Sequence, residues 1–292
     1  MNSPFKKVLL IYKKSAYSIY FMERKLQLAS GKKANLQKEL QRFKRAHDEH
    51  HRTLERIENI LCAYDIPYKK QCRGGAINYA RYDFIISVGG DGTFLEACQK
   101  IKDQVIVGVN SSPSFSVGKL CSANAKNFEK IIRCVVKGKF TINLWPRLRL
   151  ALEGHIRPVD CVNDVLVCHS DPAAMSRYYL EIGKIKEEQR SSGLWVATPA
   201  GSSGAIKSAG GQQLKFYERK IQYMPRELYY GFRKHYCHTG GVLKAKPAVA
   251  ITSLMRNGII SIDGTHIKLK FPFNSTLKIS FSPNPLRVLH IR

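Results

Sequence analysis

The stretch Asp83-Phe-Ile-Ile-Ser-Val-Gly-Gly-Asp-Gly-Thr-Phe-Leu-Glu96 constrains the chain more than any other. Phe84, Ile85, Ile86 and Val88 make a short apolar run closed by Gly89 and Gly90, the pattern of a central parallel strand rather than a helix. Asp91 therefore stands at the carboxyl end of a strand. In open α/β sheets ligands bind at that edge, and glycines there let backbone amides approach phosphates with no Cβ in the way. Two readings follow. Either Asp91 works on a hydroxyl beside a phosphate-binding turn, or it only caps a helix that begins at Thr93. The doubled glycine before Asp91 and the Gly92-Thr93 after it favour the first.

The neighbouring segments build an α/β half around that strand. Val8 to Tyr12 reads as a strand that exits through Lys13-Lys14-Ser15, whose charge suits phosphates or simply solvates a loop. Leu36, Leu40, Phe43, Leu54, Ile57 and Leu61 recur at threes and fours, so a long amphipathic helix is expected from about Leu36 to Leu61. Its basic residues are interleaved with acids, which reads as a solvated face. His47, His50 and His51 have helical ligand spacing, but no carboxylate or thiolate pattern accompanies them and no zinc or other metal site is assigned. Val105 to Val109 gives another strand, and Phe128, Ile131, Ile132 and Val135 another helix, closed by Gly138. Past Thr141 the texture changes to alternating strands, from Leu148 to Leu152 onward to Leu277 to Phe281. The fold class expected is α/β + β: a doubly wound Rossmann-like domain over residues 1–140, then a β-sandwich over 141–270, with 271–292 returning to the first domain.

Two polar constellations sit in the β half. Asn163-Asp164 interrupts a run of valines, where an amide and a carboxylate are costly unless satisfied, so they face a polar ligand or a turn, or mark a bulge. From Leu194 a strand runs into Thr198-Pro199 and a loop of small residues, Ala200 to Gly211. Such a loop lets a flat base or ribose lie against backbone while Thr198, Ser202 and Ser203 hydrogen-bond to it. Asp263-Gly264 reads as a plain hairpin turn.

Gly89-Gly-Asp-Gly-Thr93, Asn163-Asp164, and Gly193 through Thr198-Pro-Ala-Gly-Ser-Ser203 to Ser208-Ala-Gly-Gly211 resemble, in that order and spacing, the NAD kinase family. Tyr12-Lys-Lys-Ser15, Arg190-Ser-Ser-Gly193 and Gln222-Tyr-Met-Pro-Arg-Glu227 are similar to segments of its mitochondrial and plant NADH-kinase branch. The resemblance covers nearly the whole chain. It implies transfer of the γ-phosphate of ATP, accompanied by Mg²⁺, to the adenosine-ribose 2′-hydroxyl of NAD or NADH. Asp91 is then the general base, with Gly89, Gly90, Gly92 and Thr93 shaping the phosphate turn. Asn163 and Asp164 are implied to hold ribose hydroxyls; Thr198, Ser202 and Ser203 line the adenine end; and Lys13, Lys119 and Arg177 contact phosphates. A homodimer or higher homo-oligomer is implied as well. The common form of the family has Ala-Tyr where Gly204-Ala205 stand here, and Ala200 replaces a frequent threonine.

Composition narrows the alternatives. Lys plus Arg number 48 against 22 for Asp plus Glu, a formal charge of +26 that attracts polyanions. No helix-turn-helix, aromatic RNA-binding strand motif or zinc finger accompanies it, so no nucleic-acid partner is expected. Lipid kinases of the diacylglycerol and sphingosine type share Gly-Gly-Asp-Gly-Thr, yet they place Asn where Leu95 stands, and no interfacial apolar helix or membrane partner is read here. Eight scattered cysteines without a Cys-x-x-Cys pair suit a reducing compartment, and a cytoplasmic location is expected.

Overall fold

The computed structural model describes residues 4–23, 33–232, 235–244 and 248–291. In chain order the first half contains β1 (Val8–Tyr12), α1 (Lys33–Ala63), β2 (Tyr68–Cys72), β3 (Phe84–Gly89), α2 (Asp91–Cys98), β4 (Val105–Asn110), β5 (Ala123–Asn124), α3 (Phe128–Val136) and β6 (Thr141–Trp145). There follow β7 (Leu148–Leu152), β8 (Val159–Cys161), β9 (Asp164–His169), β10 (Ser176–Ile182), β11 (Ile185–Ser191), β12 (Leu194–Ala197) and the short α4 (Ala205–Ser208). The chain ends in β13 (Lys220–Pro225), β14 (Gly241–Lys244), β15 (Val249–Ser253), β16 (Gly258–Ile262), β17 (Ile267–Phe271), β18 (Thr276–Phe281) and β19 (Leu286–His290). Two compact units result, Met1–Asn143 with Arg287–Arg292, and Leu144–Leu286.

The first unit is built on a sheet of order β2-β1-β3-β4-β19-β6, whose pairings from β2 to β19 are parallel. The inner strands β1, β3 and β4 are apolar on both faces, as a sheet covered on both sides requires. Val8, Leu10, Phe84, Ile86, Val105 and Val107 form one buried cluster with Leu54, Ile57 and Leu61 of α1 and with Phe128, Ile131, Ile132 and Val135 of α3. Each of these side chains contributes on the order of 1.5–3 kcal/mol by burial. Leu9, Ile11, Ile85 and Ile106 alternate with them and are also fully buried. On α2, Phe94 approaches the sheet so closely that a Cβ on Gly108 would lie 2.9 Å from its ring.

The second unit is a sandwich of two antiparallel sheets, β11-β10-β15-β18-β7-β8 and β14-β13-β12-β9-β16-β17. Alternating residues such as Tyr178 and Leu180, Val165 and Val167, and Ile260 and Ile262 point into one shared core. The division differs in detail from the one read in sequence. β6 is the edge strand of the first sheet rather than the opening of the sandwich. Of residues 271–292, β18 lies between β15 and β7, burying Leu277 and Ile279 in the sandwich core, and the return to the first sheet is confined to β19. β11, β13 and β14 escaped the sequence reading. Lys186, Glu187, Glu188 and Arg190 hide the strand character of β11, although its Glu187 and Gln189 are buried.

Candidate active site

In the first unit, parallel register sets Tyr12 beside Val88 and Gly89 beside Asn110. Three loops therefore leave the sheet together at its carboxyl edge: residues 13–15, 90–91 and 111–116. Asp91 is the first residue of α2, but its carboxylate does not cap that helix. Its Oδ2 accepts the Lys119 backbone N–H at 3.0 Å and its Oδ1 the Leu120 N–H at 2.8 Å. Two donors from a loop far along the chain thus fix the carboxylate's plane. Gly118 makes that loop possible, since it adopts φ +58° and a Cβ there would fall 2.4 Å from Asn110 Nδ2. Asn110 Nδ2 in turn donates to Ser116 O at 2.8 Å. Lys119 serves through its backbone, and its side chain is exposed.

The turn itself is tightly specified. A Cβ on Gly89 would lie 2.2 Å from Thr93 Oγ1 and one on Gly90 3.0 Å from Ser116 Oγ, while Gly92 sits in the first turn of α2. Thr93 is buried beneath the turn, so its role is to pack it. Beside the turn lies a cavity of about 300 Å³ lined by Lys13, Ser15, Arg42, Phe43, His50, Ser112, Phe115 and Ser116. Burial, and after it the nearby Arg73 guanidinium, pulls Lys13 below the ordinary lysine range. His50 is only 1% exposed, and burial together with Lys13, His51 and His47 pushes its imidazole down to about 4, so it is neutral near pH 7. His47 Nδ1 lies 2.7 Å from Ser15 Oγ. Among the described residues no group of three or more His, Cys, Asp or Glu side chains is arranged to hold a metal ion.

In the second unit, Asn163 and Asp164 lie at a break between β8 and β9. Asn163 Nδ2 donates to Asp164 Oδ2 at 3.0 Å. Asp164 is 4% exposed, and burial, then the neighbouring Asp263 carboxylate, raises it to about 6, against the opposing effects of the Gly264 N–H and the Asn163 amide. The small-residue loop is pressed against this break. A Cβ on Gly201 would lie 2.0 Å from Asn163 O, and one on Gly204 3.6 Å from Asp164 Oδ2. A Cβ at Gly204 would thus meet Asp164 only at ordinary contact distance.

Two hydroxyls of the loop are engaged within the protein itself. Thr198 Oγ1 donates to Val162 O and receives the Gly201 N–H at 3.2 Å. Ser202, fully buried, donates to Pro199 O at 2.7 Å and receives the Leu214 N–H at 2.8 Å. Thr198 holds the loop against the β8–β9 break and Ser202 ties the loop to its own later residue Leu214, whereas Ser203 is half exposed. Arg177 is not gathered with Asn163 and Asp164. It pairs with Glu188 at 3.3 Å, and its neighbour Ser176 binds the His169 N–H at the opposite end of β9 from Asp164, roughly 16 Å away at ordinary strand rise. Sequence reading missed Asp263. Its carboxylate is 1% exposed and accepts the backbone N–H of Asn163 at 2.6 Å and of Val162 at 3.1 Å.

A carboxylate held by backbone amides at the exit of a parallel sheet, beside a cavity whose wall carries Lys13, Arg42 and Glu39, has the form of a kinase that acts on an alcohol. No family model matches the chain. It is 30% identical over 273 residues to the NADH kinase of Arabidopsis thaliana, spanning 82% of this chain and 83% of that one. Against a probable NADH kinase of Oryza sativa subsp. japonica the identity is 33% over 229 residues, covering 71% and 70% of the two chains. The fold is similar to the crystal structure of an NAD kinase from Archaeoglobus fulgidus in complex with ATP, with TM-score 0.68 and 21% identity over 98% of this chain and 93% of that one. The chain belongs to the NAD kinase family.

Proposed function

We propose that the chain is an NAD(H) kinase, which moves the γ-phosphoryl group of ATP to the adenosine-ribose 2′-hydroxyl of NAD or NADH and releases ADP. The observation that carries this is Asp91, its carboxylate oriented by the Lys119 and Leu120 amides at the sheet's carboxyl edge, in a chain whose plant relatives are NADH kinases. The substrate hydroxyl gives its proton to Asp91 as its oxygen attacks the γ-phosphorus and the β–γ bridging P–O bond breaks. A carboxylate is a weak base, so positioning and charge neutralisation supply most of the rate.

Lys13 and Arg42, on the wall of the cavity beside the turn, serve the phosphates of the donor. Mg²⁺ would enter on the ATP phosphates, with the Asp91 carboxylate at the turn to assist, and would neutralise the charge developing on the leaving group. In the second unit Asn163 and Asp164 hold ribose hydroxyls. The small-residue loop, fixed by Thr198 and Ser202, presents backbone and Ser203 to the adenosine. A homodimer and a reducing compartment such as the cytoplasm complete the reading. No disulfide joins any of the eight cysteines, and among the described residues no helix is long and apolar enough to cross a membrane.

The test is incubation with Mg-ATP and NAD, NADH or a diacylglycerol in parallel, with products separated by chromatography. NADP or NADPH is the expected product. A phosphorylated lipid without either dinucleotide product would overturn the reading.

A further inference from the structure

Asp263 sits in the hairpin turn between β16 and β17, one hundred residues from the β8–β9 break, and the turn is shaped to send its carboxylate back there. Asp263 takes φ +52° and Gly264 φ +75°, so the turn is left-handed at two successive residues. Oδ1 accepts N–H bonds from Asn163 at 2.6 Å and Val162 at 3.1 Å and the Cys161 thiol at 3.1 Å; Oδ2 is 3.2 Å from the Val162 nitrogen. The Asp263 N–H returns a bond to Asp164 O at 2.8 Å. Every residue from Cys161 to Asp164 is therefore tied to this one aspartate.

We propose that Asp263 is a positioning residue for dinucleotide recognition, its carboxylate anchoring the β8–β9 break so that Asn163 and Asp164 present their side chains in one fixed orientation. This rests on reading Asn163 and Asp164 as the ribose-binding pair. A charged acceptor suits the task, because it takes the Val162 and Asn163 amides and the buried Cys161 thiol at once. The same charge reaches Asp164. The groups facing the Asp164 carboxyl are Asp263, the Cys161 thiol, the Asn163 amide and the Gly264 N–H, and of these Asp263 does most to resist its ionisation. Asp164 thus changes charge near pH 6, and as an ionised acceptor it binds ribose hydroxyls above that pH.

The experiment compares the wild-type chain with Asp263→Asn, following NAD and NADH binding by calorimetry from about pH 5 to pH 8 together with steady-state kinetics. In the wild type, dinucleotide affinity is expected to fall as pH drops through about 6. In a folded Asp263→Asn protein the dinucleotide KM should rise roughly tenfold, the ATP KM should stay unchanged, and the midpoint should move to lower pH. A merely structural role would change the amount of folded enzyme and leave the midpoint in place. Unchanged KM and midpoint would overturn the proposal.

Should Asp263→Asn not fold, carbon-13 NMR of aspartate carboxyls in the wild type and in Asp164→Asn decides. A carboxyl titrating near 6 that the second protein lacks supports the proposal, and its absence from the wild type overturns it. A wild type that phosphorylates NAD but binds it without dependence on Asp164→Asn would overturn the assignment of the ribose pair and this proposal together, while leaving the kinase reading standing.

Discussion

His50 offers a test of the first unit's interior that needs no substrate. Its imidazole is buried on α1 against Lys13, and its pKa falls from 6.5 to about 4. A histidine whose folded value lies below its unfolded value contributes full stability above the unfolded pKa, and that stability is lost as pH falls from 6.5 toward 4. The shift corresponds to about 3 kcal/mol once both states are protonated, of which about 2.5 kcal/mol is already lost at about pH 4.5. His50→Leu removes the titration while keeping an apolar filler. The two proteins are compared by urea unfolding at about pH 7 and about pH 4.5. Circular dichroism is the probe, because α1, α2 and α3 all belong to the first unit. Any packing change is present at both pH values and cancels. The wild type should lose about 2 to 3 kcal/mol more than the variant on acidification. Equal losses would show that the ring is reached by water or ion-paired, and the reasoning would fail.

Asp91→Asn should lower turnover by orders of magnitude with dinucleotide affinity nearly unchanged, measured by kinetics and calorimetry; full activity would remove Asp91 from the chemistry. Gly201→Ala forces a methyl into the Asn163 backbone, where its Cβ would lie 2.0 Å from a carbonyl oxygen. It should destabilise the second unit by about 1–3 kcal/mol, read by the fluorescence of Trp195, and raise the dinucleotide KM. Tyr178→Phe removes a hydroxyl that bonds Gln189 at 3.1 Å and Ser191 at 2.9 Å inside the sandwich. About 1–3 kcal/mol of stability should be lost, again by fluorescence, with kinetics unaltered.

What was legible in the sequence followed the two periodicities. The parallel strands announced themselves as short apolar runs, and α1 and α3 as stripes, because burial of one or both faces dictates composition there. β11 and β13 were hidden since their buried positions include Glu187, Gln189 and Gln222, polar groups whose bonds include distant partners such as the His238 backbone. The site divides the same way. Asp91 stood out because the glycines and Thr93 beside it form a local pattern. Its amide donors at Lys119 and Leu120 had no local signature, and Asp263 looked like any Asp-Gly turn. Thr198 and Ser202 were legible as hydroxyls on a loop, but which way a hydroxyl bonds is decided by the carbonyls and amides packed around it.

The same distinction explains the charge. Forty-eight basic residues face only 22 acidic ones, and several of the acids are engaged by backbone amides rather than by cations. Asp83 accepts the N–H groups of Lys6 and Lys7, Asp91 those of Lys119 and Leu120, Glu187 those of Cys237 and His238, and Asp263 those of Val162 and Asn163. An amide gives a carboxylate a strong partner without cancelling its charge, so each such acid fixes a loop while the nearby cations stay available. The surplus cations then act together, as a field that draws in phosphate-bearing substrates. Specificity cannot come from that field, because it favours every polyanion alike. Of the carboxylates held by amides, Asp91 stands at the sheet's carboxyl edge and Asp263 against the β8–β9 break, where each fixes local geometry that a diffuse field cannot.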